Sequence, residues 1–173
     1  TDRRCWRCGA LVEKRDLDQW YLRTTAYADE LLDFSQIDWP EPIRIMQTNW
    51  IGRSSGAEIV FETAPSAHHA GGEELRVFTT RPDTLFGATF MVLAPEHADV
   101  PALIADNPDR AEIETWITHV RNQTNLERQA ETAGKEGRFT GSYAMNPFTN
   151  EQIPIWLGNF VLPQYGTGAI MSV

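Results

Sequence analysis

Cysteine is scarce in this sequence of 173 residues, which has only two, at positions 5 and 8. A disulfide between two cysteines so close together could not cross-link a domain of this size. This excludes a secreted disulfide framework and favours metal or redox chemistry. Long apolar runs are missing as well, since none approaches the ~20 residues that a membrane-spanning helix needs. A polar segment, rather than the apolar centre of a signal peptide, leads into Cys5. The expected location is therefore cytoplasmic, without a membrane partner.

The sequence has fewer positively than negatively charged residues, since it contains 15 Lys and Arg but 24 Asp and Glu, which gives a net charge of −9. This balance argues against broad coating of a nucleic-acid backbone but permits a small, local phosphate contact. A phosphate-binding loop is absent from the sequence, because Gly134-Lys135 is followed by Glu136 rather than by Ser or Thr. A Met at position 1 is absent too, and the sequence ends in an apolar run, so we expect a piece of a longer chain.

The first third of the chain has helical periodicity. Apolar residues at helical spacing between Leu17 and Leu32 predict one amphipathic helix of about four turns, with Asp16 as its N-cap. Two prolines then fall in residues 38–42, where they remove backbone donors and favour extended geometry. We therefore predict a linker at 38–42.

The remaining chain is rich in short alternating runs. They predict strands at 59–61, 75–79, 88–93 and 153–162, and helical spacing predicts a helix over 112–128. Compositionally loose segments surround Gly71 and span 132–141. This mixture lacks regular alternation of strands and helices, so it predicts an α+β fold that is mostly β, a closed β-barrel with helices around it.

The pair Cys5 and Cys8, followed by Gly9, has the two-residue gap that lets both thiolates reach one tetrahedral zinc ion from a tight turn. A closed structural zinc site needs four ligands. None of the four histidines has ligand spacing with these cysteines. We interpret the pair as half of a zinc site and expect this chain alone to hold no four-coordinate zinc.

Two further segments allow both a structural and a functional interpretation. Thr79-Thr80-Arg81-Pro82-Asp83-Thr84 is either a strand end with a capping Pro-Asp turn or a rim of hydrogen-bond donors for an anionic or ester-bearing ligand. Tyr165-Gly166-Thr167-Gly168 is either a tight turn with glycines at positive φ or a place where the backbone approaches a ligand closely.

An ordered series of motifs runs through nearly the whole chain. The series is Arg4-Cys5-Trp6, Val12-Glu13-Lys14-Arg15, Gln19-Trp20-Tyr21-Leu22, Tyr27-Ala28-Asp29-Glu30-Leu31-Leu32, Asn49-Trp50-Ile51-Gly52-Arg53-Ser54, Phe78-Thr79-Thr80-Arg81-Pro82-Asp83-Thr84-Leu85-Phe86-Gly87-Ala88-Thr89, Leu93-Ala94-Pro95-Glu96-His97 and Tyr165-Gly166-Thr167-Gly168-Ala169-Ile170-Met171. In content and order it resembles the leucyl-tRNA synthetases, which are class I synthetases. The valyl and isoleucyl relatives carry different residues after the threonine-rich start, so the resemblance is to the leucyl type.

The resemblance implies two parts. Residues 1–50 are similar to the zinc-type connection, with its amphipathic helix, that leads from the synthetic core. Residues 51–173 are similar to the inserted editing domain, a β-barrel that hydrolyses wrongly charged tRNA, and the family continues past the position of Val173 with an Asp that holds the substrate's α-ammonium. We therefore expect an editing domain truncated at its C-terminal end. Both ATP-handling signatures of class I synthetases are missing, so no aminoacyl-adenylate formation is expected.

Site residues are carried over by the same resemblance. Thr79, Thr80 and Arg81 are the expected catalytic residues, and direct attack by a positioned water is expected because no Ser-His or Cys-His pair is evident. Thr84 is expected to stand where the leucine γ-branch would collide. Substrate binding and specificity are assigned to Asp83, Thr84, Tyr165, Met171 and Val173.

The expected function is proofreading. The chain is expected to hydrolyse isoleucyl and norvalyl esters of tRNA(Leu) and to spare the leucyl ester; the alternative is a non-catalytic tRNA-docking or scaffold part of the synthetase. Its expected partners are the tRNA(Leu) 3′ end with a non-cognate amino acid and the rest of the synthetase chain. No cofactor is expected in this piece, whereas the whole enzyme is expected to use ATP and Mg, with zinc bound through Cys5 and Cys8.

Overall fold

A computed structural model describes residues 4–12, 17–130 and 134–173. The chain divides into two compact units, one made of the described residues of Arg15–Ser55 and the other of those in Thr1–Lys14 and Gly56–Val173. The predicted boundary between residues 50 and 51 stays a prediction. Within these described ranges, no helix combines the length and the apolar character needed to cross a membrane.

The smaller unit differs from its sequence-based prediction. Instead of one amphipathic helix it has two short 3-10 helices, Thr24–Tyr27 and Glu30–Leu32, and the predicted N-cap Asp16 lies outside the described residues. Trp20 is fully exposed, so the start of the predicted apolar stripe is not packed, and packing supplies most of a helix's stability.

The predicted linker also differs, because it contains the start of the first α-helix, α1 (Glu41–Ile51). Proline is well tolerated in the first helical turn, where its missing N–H has no intrahelical partner, and Pro42 lies there. The helix ends at Gly52, which takes the left-handed conformation with φ of 62°.

The larger unit is built on one sheet of six strands. In chain order these are β1 (Ala57–Ala64), β2 (Glu74–Thr79), β3 (Phe90–Leu93), β4 (Gly137–Met145), β5 (Gln152–Gly158) and β6 (Ala169–Ser172). The order across the sheet is β2-β1-β4-β5-β3-β6, with β3 and β5 parallel and every other pair antiparallel. The helices are a 3-10 helix (Pro82–Gly87), α2 (Val100–Leu103), α3 (Arg110–Arg121) and α4 (Asn125–Gln129).

The predicted closed β-barrel is wrong, although the α+β mixture is present. The sheet ends at β2 on one edge and at β6 on the other, and the described strands form no hydrogen-bonded ladder between these edges. The two edges come within 8 Å between Cα atoms without pairing. Alternation of apolar residues predicts that a segment is a strand, but closure depends on strand tilt and stagger, which alternation does not encode.

The element boundaries also depart from the predictions. Strand β4 begins inside the segment that composition marked as loose, and the predicted helix 112–128 is two helices, α3 and α4. Helix α4 restarts after Asn122 with a capping box, in which Thr124 accepts from the Glu127 N–H and Glu127 accepts from the Thr124 N–H.

The main core lies between one face of the sheet and helices α2 and α3. Its members are apolar side chains from every strand and both helices, among them Phe61, Leu75, Leu85, Met91, Leu93, Leu103, Ile113, Trp116, Val120, Ile155 and Leu157. A smaller cluster of Val92, Ala94 and Val161 covers the other side of β3. Strand β3 is therefore buried on both faces, which fits its parallel pairing with β5.

A buried ion pair and two further hydrogen bonds join α4 to the segments that follow β3 and β5. Arg128 donates from Nη1 to Glu96 Oε1 at 2.7 Å, and its other nitrogens donate to the carbonyls of Asn159 and Val161, each at 2.6 Å. The Arg128 side chain is 2% exposed and that of Glu96 20%. Removal of one member of such a pair leaves a buried charge and buried carbonyls without partners.

We expect Arg128→Met to lower the free energy of unfolding by about 3–5 kcal/mol, the usual cost of breaking a buried pair. Urea denaturation followed by Trp fluorescence measures the loss. Arg110→Met is the matched control, because its pair with Glu114 is about half exposed and is expected to contribute at most ~1 kcal/mol. Equal losses in the two variants would contradict the assigned role of the buried pair.

Candidate functional site

The threonine-rich segment leaves the sheet at the end of β2. Thr79 is the last residue of that strand and pairs with Ala57 of β1. Its hydroxyl accepts a hydrogen bond from the Arg81 N–H at 3.1 Å, and Thr80 between them is exposed. The chain therefore turns sharply after β2, in line with the strand-and-turn interpretation, and presents Thr80 at the surface.

Arg81 and Asp83 form a two-pronged ion pair at this turn. The Arg81 guanidinium donates from Nε to Asp83 Oδ1 at 3.1 Å and from Nη2 to Oδ2 at 3.0 Å. Hydrogen bonding to Arg81 lowers the pKa of Asp83 below that of an ordinary aspartate, and hydrogen bonding to Asp83 raises the pKa of Arg81. Both side chains are about two-thirds exposed, so the pair remains open to solvent.

Thr84 lies in the 3-10 helix Pro82–Gly87 and is half-buried. Its hydroxyl donates to the Arg81 carbonyl at 2.8 Å, and its N–H donates to the same oxygen at 3.1 Å. The hydroxyl is thus bound to the turn that carries it, which fixes the side-chain torsion and with it the position of the γ-methyl group. Leu85, the next residue, has its side chain in the core.

The last strand approaches this segment directly. The Thr89 N–H donates to the Ser172 carbonyl at 2.8 Å, which extends the β3–β6 ladder by one residue. A Cβ atom at Gly87 would lie 2.9 Å from Val173 Cγ1, so Gly87 leaves the room that Val173 occupies. Met171, which pairs with Met91, packs against the core next to these residues.

Tyr165 lies on the turn that precedes β6. The Gly168 N–H donates to its carbonyl at 3.1 Å, and Gly166 and Gly168 have φ of 58° and 73°. The tight-turn interpretation of this segment is therefore confirmed, and the Tyr165 side chain is exposed. Gly166 lies against Phe78 of β2, since an added Cβ would be 3.5 Å from Phe78 Cβ.

These contacts bring the predicted catalytic and specificity residues together where the two edge strands, β2 and β6, approach each other. The threonine-rich segment meets β6 through Gly87 and Thr89, and the Tyr165 turn meets β2 through Phe78. Gly87 and Thr89 belong to the motif series quoted above, but sequence reasoning gave them no role, because neither residue type carries a chemical signal. The catalytic and specificity assignments themselves stay predictions.

Cys5 and Cys8 lie in a separate closed turn near the start of the chain. The Cys5 N–H donates to the Ala10 carbonyl and the Gly9 N–H to the Cys5 carbonyl, both at 2.8 Å, with Gly9 at φ of 71°. Backbone hydrogen bonds from Cys8 and Arg7 lower the pKa of the Cys5 thiol. The assignment of this pair to half of a zinc site stays a prediction. The part of the chain that the structure describes holds no group of three or more His, Cys, Asp or Glu residues arranged for a metal ion.

The chain belongs to the leucyl-tRNA synthetase editing domain family, whose model matches residues 48–173. It is 57% identical over 169 residues to the leucine–tRNA ligase of Deinococcus radiodurans, covering 98% of this chain and 19% of that protein. It is 51% identical over 172 residues to the leucine–tRNA ligase of Nitratidesulfovibrio vulgaris strain DP4, covering 98% of this chain and 20% of the ligase. The chain thus spans about a fifth of the length of these relatives.

A solved structure is similar over the whole chain. It is the crystal structure of the ternary complex of Agrobacterium radiobacter K84 agnB2 LeuRS-tRNA-LeuAMS, which matches with a TM-score of 0.73 and 39% sequence identity. The match covers 100% of this chain and 21% of that one. The open six-stranded sheet described above is consistent with the fold of this family.

We expect Arg81→Gln to raise the pKa of Asp83 toward the value of an ordinary aspartate, because the two hydrogen bonds that favour the carboxylate are lost. An NMR titration of the side-chain carboxyl carbons measures this pKa. Arg76→Gln is the control, since the Arg76 guanidinium binds Glu58 and Glu74 instead and its loss should leave Asp83 unchanged. An Asp83 pKa that does not move in Arg81→Gln would show that Arg81 is not its partner in solution.

Proposed function

We propose that this chain is the proofreading part of a leucine–tRNA ligase and hydrolyses tRNA(Leu) esters of isoleucine or norvaline while it spares the leucyl ester. The observation that carries the proposal is the contact between the threonine-rich segment, which follows β2, and the end of β6, where Val173 fills the space beside Gly87. Membership of the editing domain family and the relatives' identity as leucine–tRNA ligases support it.

A separate hydrolytic site has a clear physical reason. One methylene group is worth only about 1–3 kcal/mol in an apolar pocket, so a synthetic site for leucine cannot strongly reject similar amino acids. A second site that excludes leucine by its shape and hydrolyses what fits supplies the missing discrimination.

The proposed chemistry is ester hydrolysis by a positioned water. The water oxygen attacks the ester carbonyl carbon, the bond from that carbon to the ribose oxygen breaks, and the ribose oxygen leaves with a proton. The products are a free amino acid and a tRNA with its terminal hydroxyl restored. The tRNA's own ribose hydroxyl assists the attack, and no acyl-enzyme forms.

The side chains take distinct parts in this proposal. Thr79 and Thr80 offer hydroxyl and backbone groups to the ester and the water, and Arg81 balances negative charge. Asp83 holds the Arg81 guanidinium through their two hydrogen bonds. Thr84 is the steric gate against the leucine γ-branch. The walls for the aminoacyl group and the adenosine are formed by Tyr165, Met171 and Val173.

The proposed partners are the 3′ end of tRNA(Leu) and the rest of a synthetase chain. The solved relative is itself described as a ternary complex with tRNA and LeuAMS, which supports the first of these. We further propose that a whole ligase of this kind uses ATP and Mg outside this segment, and that Cys5 and Cys8 supply half of a zinc site.

Deacylation decides between editing and the scaffold alternative. We expect Ile-tRNA(Leu) to be hydrolysed faster with protein than without it, whereas Leu-tRNA(Leu) is spared. The assay uses this chain and, in parallel, the Deinococcus radiodurans ligase in which this segment replaces the matching one. A chimaeric ligase that charges leucine normally but leaves Ile-tRNA(Leu) intact would favour the non-catalytic scaffold and contradict editing.

We expect Thr84→Ala to raise hydrolysis of Leu-tRNA(Leu) at least about tenfold, equivalent to ~1.4 kcal/mol, because space opens where exclusion gave selectivity. Thr84→Val keeps the bulk but loses the hydroxyl bond to the Arg81 carbonyl, and it should still exclude leucine. Single-turnover deacylation rates measure both variants. If Thr84→Ala spares Leu-tRNA(Leu) while it clears Ile-tRNA(Leu), Thr84 is not the gate.

A further inference from the structure

Asn146 lies directly after β4 and is 1% exposed. Its Oδ1 accepts hydrogen bonds from the N–H groups of Phe148 at 3.0 Å and Thr149 at 3.4 Å. These bonds fix the orientation of the side-chain amide, so its nitrogen faces the other way. That nitrogen, Nδ2, donates to the Leu85 carbonyl at 2.9 Å.

The Leu85 carbonyl belongs to the 3-10 helix that carries Thr84. This helix has no side-chain N-cap bond, and hydrogen bonds in 3-10 helices have poorer geometry than in α-helices. Its other side-chain hydrogen bonds join Asp83 and Thr84 to the neighbouring Arg81, and the Ala88 N–H donates to the same Leu85 carbonyl. Among the described residues, Asn146 alone ties the helix by a hydrogen bond to a distant part of the chain.

A second contact joins the same two segments. Phe148, in the turn that Asn146 closes, packs edge-on against Phe86 with ring centroids 5.2 Å apart. Two backbone hydrogen bonds close the turn. The Asn146 N–H donates to the Glu151 carbonyl and the Asn150 N–H donates to the Asn146 carbonyl, both at 2.9 Å. The turn after β4 is therefore a fixed support for the helix Pro82–Gly87.

We propose that Asn146 is a specificity-positioning residue, which holds the Thr84 γ-methyl in place through the Leu85 carbonyl without touching the substrate. The inference rests on the proposed editing function. Exclusion by shape depends on distances, because a gap of about 0.5–1 Å changes a van der Waals contact substantially. Loss of the Asn146 bond should therefore weaken selectivity more than it weakens hydrolysis.

Asn146→Asp tests the proposal, because among the three side-chain hydrogen bonds of Asn146 it changes the one to Leu85. The ionised carboxylate keeps both acceptor contacts to Phe148 and Thr149 but cannot donate to Leu85, and its charge faces that carbonyl. A protonated carboxyl group could donate to Leu85, and burial favours that form, so each measurement on this variant is made over a range of pH that includes the ionised form. Asn146→Ala, which loses all three bonds, is the second variant. Ser142→Ala is the matched control, because Ser142 is fully buried and donates to the Leu103 carbonyl at 2.8 Å, outside the threonine-rich segment.

The first measurement is the ratio of deacylation rates on Ile-tRNA(Leu) and Leu-tRNA(Leu). We expect it to fall at least about tenfold in Asn146→Asp, through faster loss of the leucyl ester, and to stay constant in Ser142→Ala. General destabilisation would move both variants alike, so an equal change in the two would overturn the proposal. An unchanged ratio in Asn146→Asp would overturn it as well.

The second measurement needs no substrate. Amide hydrogen exchange at Thr84 and Ala88 is expected to be at least about tenfold faster in Asn146→Asp than in the wild type or Ser142→Ala. Unchanged exchange would overturn the proposal regardless of activity. If exchange accelerates but the wild type fails to hydrolyse Ile-tRNA(Leu), the editing function fails while the support of the helix by Asn146 stands.

Discussion

Pairing between β3 and β6 sets the position of the candidate site. All four residues of β6 pair with β3, and the Thr89 N–H extends the ladder to Ser172. The alternation along β6 matches β3, since Met171 joins the main core while Ile170 joins the smaller cluster on the other side. A slip of one residue would exchange these faces, so burial on both sides of β3 fixes the register. The same register sets Val173 beside Gly87 and brings the end of the chain to the threonine-rich segment.

The fold was predictable from sequence where local periodicity coincides with burial. Strand β2 alternates between exposed and buried residues over Glu74 to Val77, and α3 carries Ile113, Trp116 and Val120 at helical spacing. Strand β4 does not alternate in this way, because Thr140 and Ser142 are buried with their hydroxyls bonded to the carbonyls of Ile155 and Leu103. A register irregularity between Phe139 and Tyr143 breaks its period further. The predictions of a closed barrel and of a helix at 17–32 were wrong because pairing partners and packing surfaces are not local properties of a sequence.

The turn that carries the candidate site was predictable from sequence, but the residues that support it were not, and the catalytic roles stay predictions. Clustered hydroxyls beside a guanidinium and a carboxylate stand out in any sequence, and the structure places Thr79, Arg81 and Thr84 in one hydrogen-bonded turn. The residues that hold this turn are ordinary in type and distant in sequence, since Asn146 lies 61 positions from Leu85. Arg128 likewise binds carbonyls 31 and 33 positions away. Nothing local in a sequence reports bonds of this span, although a buried polar side chain always requires partners.

At the candidate site, the hydrogen bond that supports the 3-10 helix is buried, whereas the ion pair beside it is exposed to solvent. The bond from Asn146 to Leu85 is buried, and its loss leaves the Leu85 carbonyl with only the local hydrogen bond from the Ala88 N–H at 3.2 Å. The Arg81–Asp83 pair beside it is exposed, and such pairs typically contribute about 0–1 kcal/mol. In the proposed editing function, a charged group of the substrate could therefore displace either member of the pair at little cost, while the position of Thr84 stays fixed. Under that proposal, selectivity by shape resides in the buried support, and the charges at the surface are free to rearrange around the substrate.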